Sequence, residues 1–202
     1  MPAKSSRKSA GTVRIIAGEW RGRRFPVADL PGLRPTTDRV RETLFNWLSP
    51  DIAGRRCLDL FAGSGALGLE SLSRGAGFCE FVETQTPAVR AMQQTLTSLN
   101  ADSRARVVQA NALDYLETLS TSDAVIGCVI EPFDLVFLDP PFAASELLQD
   151  TICCLADKAV LASDALVYLE YAPQTCPEVP TEWTQWRSKR SGGAIYELWR
   201  KK

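Results

Sequence analysis

The chain has 202 residues, 45% hydrophobic and 23% charged, which suits one globular domain with a sizeable core and excludes a disordered or fibrous protein. No run approaches the roughly 18 to 20 apolar residues needed to cross a bilayer, and the start, MPAKSSRKSAG, lacks the apolar stretch of a secretory signal. The expectation is a cytoplasmic protein with no membrane partner, a monomer by default. The formal net charge of -1 hides a segregation: residues 1–41 hold 10 basic and 3 acidic residues, residues 42–181 hold 7 and 19, and residues 182–202 hold 6 and 2. Basic ends around an acidic centre point to a polyanion contacted by the ends. Histidine is absent, which removes Ser-His-Asp and Cys-His nucleophilic sites and His-ligated metals together. No two of the six cysteines have metal or redox spacing, so no metal is expected and most thiols read as reduced core residues.

In chain order, residues 1–11 read as a flexible basic tail, and TVRIIAG with GRRFPV as a small β-hairpin around Gly18 and Gly22, displaying arginines on one side. After the turn-rich DLPGLRPTT, Asp38 is placed as the cap of a helix through Leu48. Its apolar face is Val40, Leu44, Trp47 and Leu48, with Arg39 and Arg41 nearer the polar side. From Arg56 onward, short apolar runs alternate with helical patterns. CLDLF precedes ALGLESLSR, FCEFVE precedes a helix from Thr86 to about Asn100, and RVVQA precedes a helix near Ala112 to Leu119. FDLVFLD then precedes a helix from about Ala144 to Ala156, followed by the strand ALVYLEY. Repeated βαβ units imply an α/β fold with a parallel sheet covered on both faces. TEWTQWRSKR and AIYELWR, joined at Gly192-Gly193, complete it with a hairpin at the sheet edge.

Two segments carry chemistry. CLDLFAGSGALGLE sets Gly63, Gly65 and Gly68 in G-x-G-x-x-G spacing between strand and helix, with Glu83 twenty residues after Gly63 at the next strand's end. Glycines let the backbone approach a nucleoside, and the acid can accept from both ribose hydroxyls. Asp59, near the positive start of the helix, disfavours a pyrophosphate and suits the sulfonium and amino group of S-adenosylmethionine. Asn111 either reads an adenine edge through its amide or caps the helix at Ala112. The second segment, Asp139-Pro140-Pro141-Phe142, follows LVFL at a strand's carboxyl end. Two prolines remove two N–H donors, so the Asp139 carboxylate and the Pro140 carbonyl become paired acceptors for an exocyclic amine, with Phe142 to stack on its base.

Together, DLFAGSGALGLE, the VE at 82–83 and DPPF resemble the class I S-adenosylmethionine-dependent methyltransferases that modify amino nitrogens of bases. RIIAGEWRGRRFPV with LRPTTDRVRETLFNWL is similar to the bacterial family that methylates N2 of a guanine in 16S ribosomal RNA. The resemblance implies a Rossmann-like seven-stranded sheet in the order 3-2-1-4-5-7-6 with the last strand antiparallel. It divides the chain into an RNA-binding hairpin and helix extension over 12–50 and a methyltransferase domain over 51–202. It assigns Asp59, Phe61, Gly63, Ser64, Gly65, Glu83, Thr84, Asn111, Ala112 and Asp139 to the cofactor, S-adenosyl-L-methionine. Asp139, Pro140, Pro141 and Phe142 are assigned to the target, and phosphate contacts fall to Arg21, Arg23, Arg24, Arg34, Arg39, Lys189 and Arg190. The implied partner is 16S rRNA within the small subunit or an assembly intermediate, modified at a loop base. An adenine N6-methyltransferase of RNA or DNA, a dinucleotide-dependent dehydrogenase and a noncatalytic RNA-binding factor are the alternatives.

Overall fold

The computed structural model of the protein describes residues 11–28, 37–125, 131–142 and 144–202. The tail to residue 10, most of the DLPGLRPTT linker with Arg34, and Cys128 lie outside the described residues. A two-stranded antiparallel hairpin, β1 (Thr12–Arg14) and β2 (Arg24–Pro26), leads to helix α1 (Asp38–Leu48). The main sheet alternates with helices: β3 (Arg56–Asp59), α2 (Ala66–Ser73), β4 (Phe78–Glu83), α3 (Thr86–Ser98), β5 (Ala105–Gln109), α4 (Ala112–Val125), β6 (Phe133–Leu138), α5 (Ser145–Asp157) and β7 (Leu161–Tyr171). The terminal hairpin β8 (Trp183–Ser191) and β9 (Ala194–Lys201) follows, turning at Gly192 and Gly193, whose φ values of 61° and 84° suit the left-handed positions of a two-residue turn.

The sheet order is β5-β4-β3-β6-β7-β9-β8, which is 3-2-1-4-5-7-6 when its own strands are counted in chain order. β9 runs antiparallel to β7, and β3 to β7 are mutually parallel, as expected. Side-chain alternation builds two apolar layers. Cys57, Leu135, Phe137, Leu166 and Tyr168 face α1, α2, α3 and the N-terminal hairpin, whereas Leu58, Val136, Leu138, Val167 and Leu169 face α4 and α5. In the small hairpin Val13 opposite Phe25 points into the first layer, and Arg14 opposite Arg24 points out.

Several local expectations are corrected. The cap of α1 is Thr37, whose hydroxyl oxygen accepts from the Val40 N–H at 3.4 Å. Asp38 is instead the first helical residue, and its carboxylate takes Arg41 at 2.6 Å and Arg14 at 3.6 Å. Arg41 is not on the polar side but fully buried. Its Nη2 donates to the Arg14 carbonyl at 2.8 Å, and its Nη1 lies 3.6 Å from Glu70 of α2. α3 stops at Ser98 because Asn100 turns left-handed (φ 54°), a common helix exit. α4 runs on to Val125, and β7 begins four residues earlier than expected, its pairing interrupted between Phe133 and Leu135, where Asp164 has φ 61°. Of the five described cysteines, all free, only Cys57 and Cys79 are buried.

Glu70 is fully buried and anchors the hairpin to α2. It accepts from the Ile16 and Ala17 N–H groups at 2.8 and 3.0 Å and from Arg74 Nε at 2.7 Å. Removing one member of a buried charged network leaves the others unpaired in low dielectric, a cost of about 3–5 kcal/mol. Glu70→Ala is expected to lower stability by about that amount in urea unfolding. Arg39→Ala, on the exposed side of α1, is expected to change it by less than about 0.5 kcal/mol.

Candidate active site

Because β3, β4, β5 and β6 are parallel neighbours, the segments that follow them emerge at one edge of the sheet. The chain order reverses between β3 and β6, which opens a crevice there, the usual ligand position in open α/β sheets. The glycine loop lies at this reversal. Gly63 and Gly65 have φ values of 52° and 76°, and Gly65 is the left-handed cap that starts α2. Gly68 lets α2 lie close on the sheet, since a Cβ there would fall 2.2 Å from Phe81 Cε1 and 2.7 Å from Cys79 Sγ.

Asp59, at the end of β3, is buried under this loop. Its Oδ2 accepts from the Gly68 N–H at 3.2 Å in the first turn of α2, and its Oδ1 has no hydrogen-bond partner among the described residues. Burial pushes its carboxyl up to about 7, opposed by the Gly68 N–H and reinforced by the nearby Glu83 carboxylate. Glu83 is half-buried and already tied to the loop: Oε2 accepts from the Gly63 N–H at 2.8 Å, and Oε1 accepts from the Gln85 N–H at 2.7 Å and the Thr84 hydroxyl at 3.3 Å. Gln109, which sequence reasoning passed over, ties β5 to this corner through Thr84 O at 3.3 Å and Thr86 Oγ1 at 2.7 Å. Phe61 and Ser64 are half-buried on the loop, Thr84 is exposed, and Ala112 is buried at the start of α4. Asn111 caps α4: its amide oxygen accepts from the Asp114 N–H at 2.8 Å, and its amide nitrogen donates to the Asp114 carboxylate.

Across the crevice lies the segment that follows β6. Asp139 is half-buried, Pro140 is buried, and Pro141 and Phe142 are exposed. The Pro141 carbonyl accepts from the Ala144 N–H at 2.8 Å, whereas no described residue donates to the Pro140 carbonyl. Phe142, 47% exposed, is the sole large apolar side chain left open among the described residues, so its ring is available to a flat partner. Beyond it, β7 carries two polar residues that sequence reasoning missed inside the apolar run VYLEY. The fully buried Tyr168 donates its hydroxyl to Glu170 Oε2 at 2.8 Å. Burial holds the Tyr168 hydroxyl well above its usual range, and the negative charges of Glu170 and Asp139 add to the shift. The carboxyl of Glu170 is likewise raised by burial.

The basic residues divide into two places. The Arg23 guanidinium donates to Ser98 O at 3.3 Å at the end of α3, and Glu19 N donates to Ser73 O at the end of α2, so the hairpin turn with Arg21 and Arg23 sits at the opposite edge of the sheet from Asp139. Arg39 is exposed on α1 one turn before Thr43, and Lys189 Nζ reaches Thr43 Oγ1 at 3.5 Å. Lys189 pairs across β9 with Tyr196, which pairs with Glu170, so this second group shares a row with the crevice. Arg24 points outward beside Arg14, and Arg190 is exposed near the end of β8. No group of side chains able to hold a metal occurs among the described residues, nor does any helix long and apolar enough to cross a membrane.

Residues 13–200 match the family described as conserved hypothetical protein 95. The chain is 45% identical over 199 residues to ribosomal RNA small subunit methyltransferase D of Escherichia coli K12, covering 98% of this chain and 94% of that protein. It is 42% identical over 190 residues to the protein of the same name from Haemophilus influenzae, covering 94% of each. The solved structure of yhhF from Escherichia coli aligns with a TM-score of 0.82 at 43% identity, over 95% of this chain and 98% of that one. From the N-terminal hairpin to the last strand, the chain belongs to the conserved hypothetical protein 95 family, together with the ribosomal RNA small subunit methyltransferases D.

Proposed function

We propose that the protein is an S-adenosylmethionine-dependent methyltransferase acting in the cytoplasm on N2 of a guanine in small-subunit ribosomal RNA, in the subunit or an assembly intermediate. The observation that carries this reading is the Asp139-Pro140-Pro141-Phe142 segment at the end of β6, next to the glycine loop after β3, with Phe142 exposed and no described residue donating to the Pro140 carbonyl. The relatives named as small-subunit ribosomal RNA methyltransferases favour ribosomal RNA over DNA.

The loop fits the cofactor chemically. A buried carboxylate with one unpartnered oxygen suits a cationic ligand, and the left-handed glycines keep side chains off the approach. Asp59, Phe61, Gly63, Ser64 and Gly65 would hold the methionine side, Glu83 and Thr84 the ribose, and Ala112 the adenine. Asn111 would contribute mainly by fixing the start of α4, because its amide is engaged in the cap. When bound, S-adenosylmethionine supplies an electrophilic methyl group on a sulfonium. Asp139 and the Pro140 carbonyl would accept hydrogen bonds from the guanine amine, whose lone pair is otherwise delocalised into the ring, and so direct that pair outward. As the amine takes the methyl group that the cofactor would supply, one N2 proton would pass to Asp139 or to water. Phe142 would stack on the base, which must be unpaired to enter.

Residues 12–50 would serve as an extension that holds RNA on the face of α1. Arg39, Lys189 and Arg190 stand nearer the target, and Arg21, Arg23 and Arg24 would meet more distant phosphates.

Transfer of labelled methyl to unmodified small-subunit particles and to their naked RNA, with the product nucleoside identified by mass spectrometry, is expected to give N2-methylguanosine. N6-methyladenosine would overturn the guanine assignment, and no product despite cofactor binding would overturn the reaction. Asp139→Ala is expected to lower the rate by about 100-fold or more while leaving RNA affinity within about twofold.

The raised carboxyl of Asp59 gives the cofactor a pH signature. Below pH 7 the group holds a proton that a cation must expel, so calorimetric affinity for S-adenosylmethionine is expected to rise by up to about tenfold per pH unit toward 7 and then level off, with proton release on the acid side. In Asp59→Asn that dependence is expected to vanish.

A further inference from the structure

Resting on the methyl-transfer reading above, we propose that Glu170 is a specificity-determining residue of the target pocket, its carboxylate accepting the N1–H of guanine beside the amine held by Asp139 and Pro140. Leu138 of β6 pairs with Leu169 of β7 in parallel register, so Asp139, the first residue past β6, and Glu170, still within β7, follow at the same level on neighbouring segments, about 4.8 Å apart at the usual strand spacing. Alternation places both on the side of Phe137 and Tyr168, which face α1. The influence of both carboxylates on the Tyr168 hydroxyl agrees with that placement. Glu170 also lines a small depression with Pro140, Pro141 and Phe142, beside the start of α5.

Among the described residues Glu170 has a single hydrogen-bond donor. It is 8% exposed, and the Tyr168 hydroxyl, donating to Oε2 at 2.8 Å, fixes the orientation of the carboxylate. Among the described residues no other donor reaches it and no arginine or lysine pairs with it. Tyr196, its neighbour on β9, supplies no hydrogen bond to it either. A buried acid with one donor is costly in an apolar strand where leucine would pack, and a ligand donor would offset that cost.

Guanine presents N1–H and the N2 amine side by side, three hydrogens facing one way. Adenine presents an unprotonated N1 beside its amine, so an ionised acid at the neighbouring position would meet a lone pair. Asp139 and Pro140 alone could hold the amine of either base. A second carboxylate next to them reads N1 and makes the pocket accept guanine and reject adenine. Three guanine hydrogens between the two acids also relieve the repulsion of their charges.

The test uses 2-aminopurine, which keeps the N2 amine but has an unprotonated N1. Once the modified guanine is located in the RNA, small-subunit RNA carrying 2-aminopurine there is assembled into particles and compared with the guanine form. The wild-type protein is expected to favour guanine by at least about 100-fold in kcat/KM, as sites built to bond a polar hydrogen do. In Glu170→Gln, whose amide can donate to N1, that ratio is expected to fall to about tenfold or less. Equal wild-type rates on the two substrates would overturn the proposal. So would a Glu170→Gln protein that loses activity on both while keeping the wild-type ratio, since that marks a structural role alone. If Glu170→Gln does not fold, the wild-type ratio still decides. Absence of guanine methylation in the wild type would instead defeat the methyl-transfer reading itself.

Discussion

The buried carboxylate of Glu70 holds together parts of the molecule that are distant in sequence. It receives two backbone N–H groups from the turn after β1, Arg74 from the end of its own helix, and the facing guanidinium of Arg41 from α1. Removing one partner of a buried charge leaves the others uncompensated, so the positions of the hairpin, α1 and α2 are coupled through this carboxylate, although Arg41 Nε and Nη1 have no hydrogen-bond partner among the described residues. The consequence reaches the crevice, because α2 begins at Gly65 and its first turn supplies the N–H that Asp59 accepts. Segment 12–50 is thus seated on the same helix that carries the glycine loop, and Val13, Trp20, Phe25 and Phe45 share one apolar layer with the sheet.

The segregation of charge along the chain becomes a segregation in space. Asp59, Glu83, Asp139 and Glu170 lie at or near the ends of four parallel strands at one edge; Asp59 accepts from a helix N–H, Glu83 from loop N–H groups and Glu170 from a phenol. Carboxylates so close repel one another, and burial raises two of them further. An edge of that kind favours ligands rich in cations and hydrogen-bond donors. The basic residues stand outside it, on the N-terminal hairpin, on α1 and on β8, where phosphates can be met without entering the acidic centre.

Sequence carried the architecture well because its signals were local: alternating runs, glycine spacing and the Gly192-Gly193 turn each report on a few neighbouring residues. The failures involve partners that only the fold supplies. Arg41 sits at a position that reads as polar on a helical wheel, yet Glu70, 29 positions away, draws it inside. Asn111 could be an adenine reader or a cap, and Asp114 one turn on decides for the cap. Asp38 had the residue type of a cap but lost that place to Thr37 because Arg14 and Arg41 claim its carboxylate. Glu170 broke the apolar run of β7, which was a visible signal, but its meaning depends on the register that sets it beside Asp139. Arg21 and Arg23 were grouped with Lys189 by charge alone, and the fold separates them to opposite edges.

A chain without histidine must move a proton near neutral pH by other means, and the crevice suggests how. In the proposed reaction the guanine amine would become acidic once methylated, so a strong base would not be required. What the amine needs beforehand is a fixed orientation, with acceptors on its hydrogens. Prolines provide this at low cost: Pro140 and Pro141 carry no N–H to compete for those acceptors, and their φ angles are already restricted. The Pro141 carbonyl accepts from Ala144 while no described residue donates to that of Pro140. On the proposed reading, the catalytic contribution would lie in rigid acceptors at the end of a central strand, and the choice of base would lie with Glu170 on the neighbouring strand.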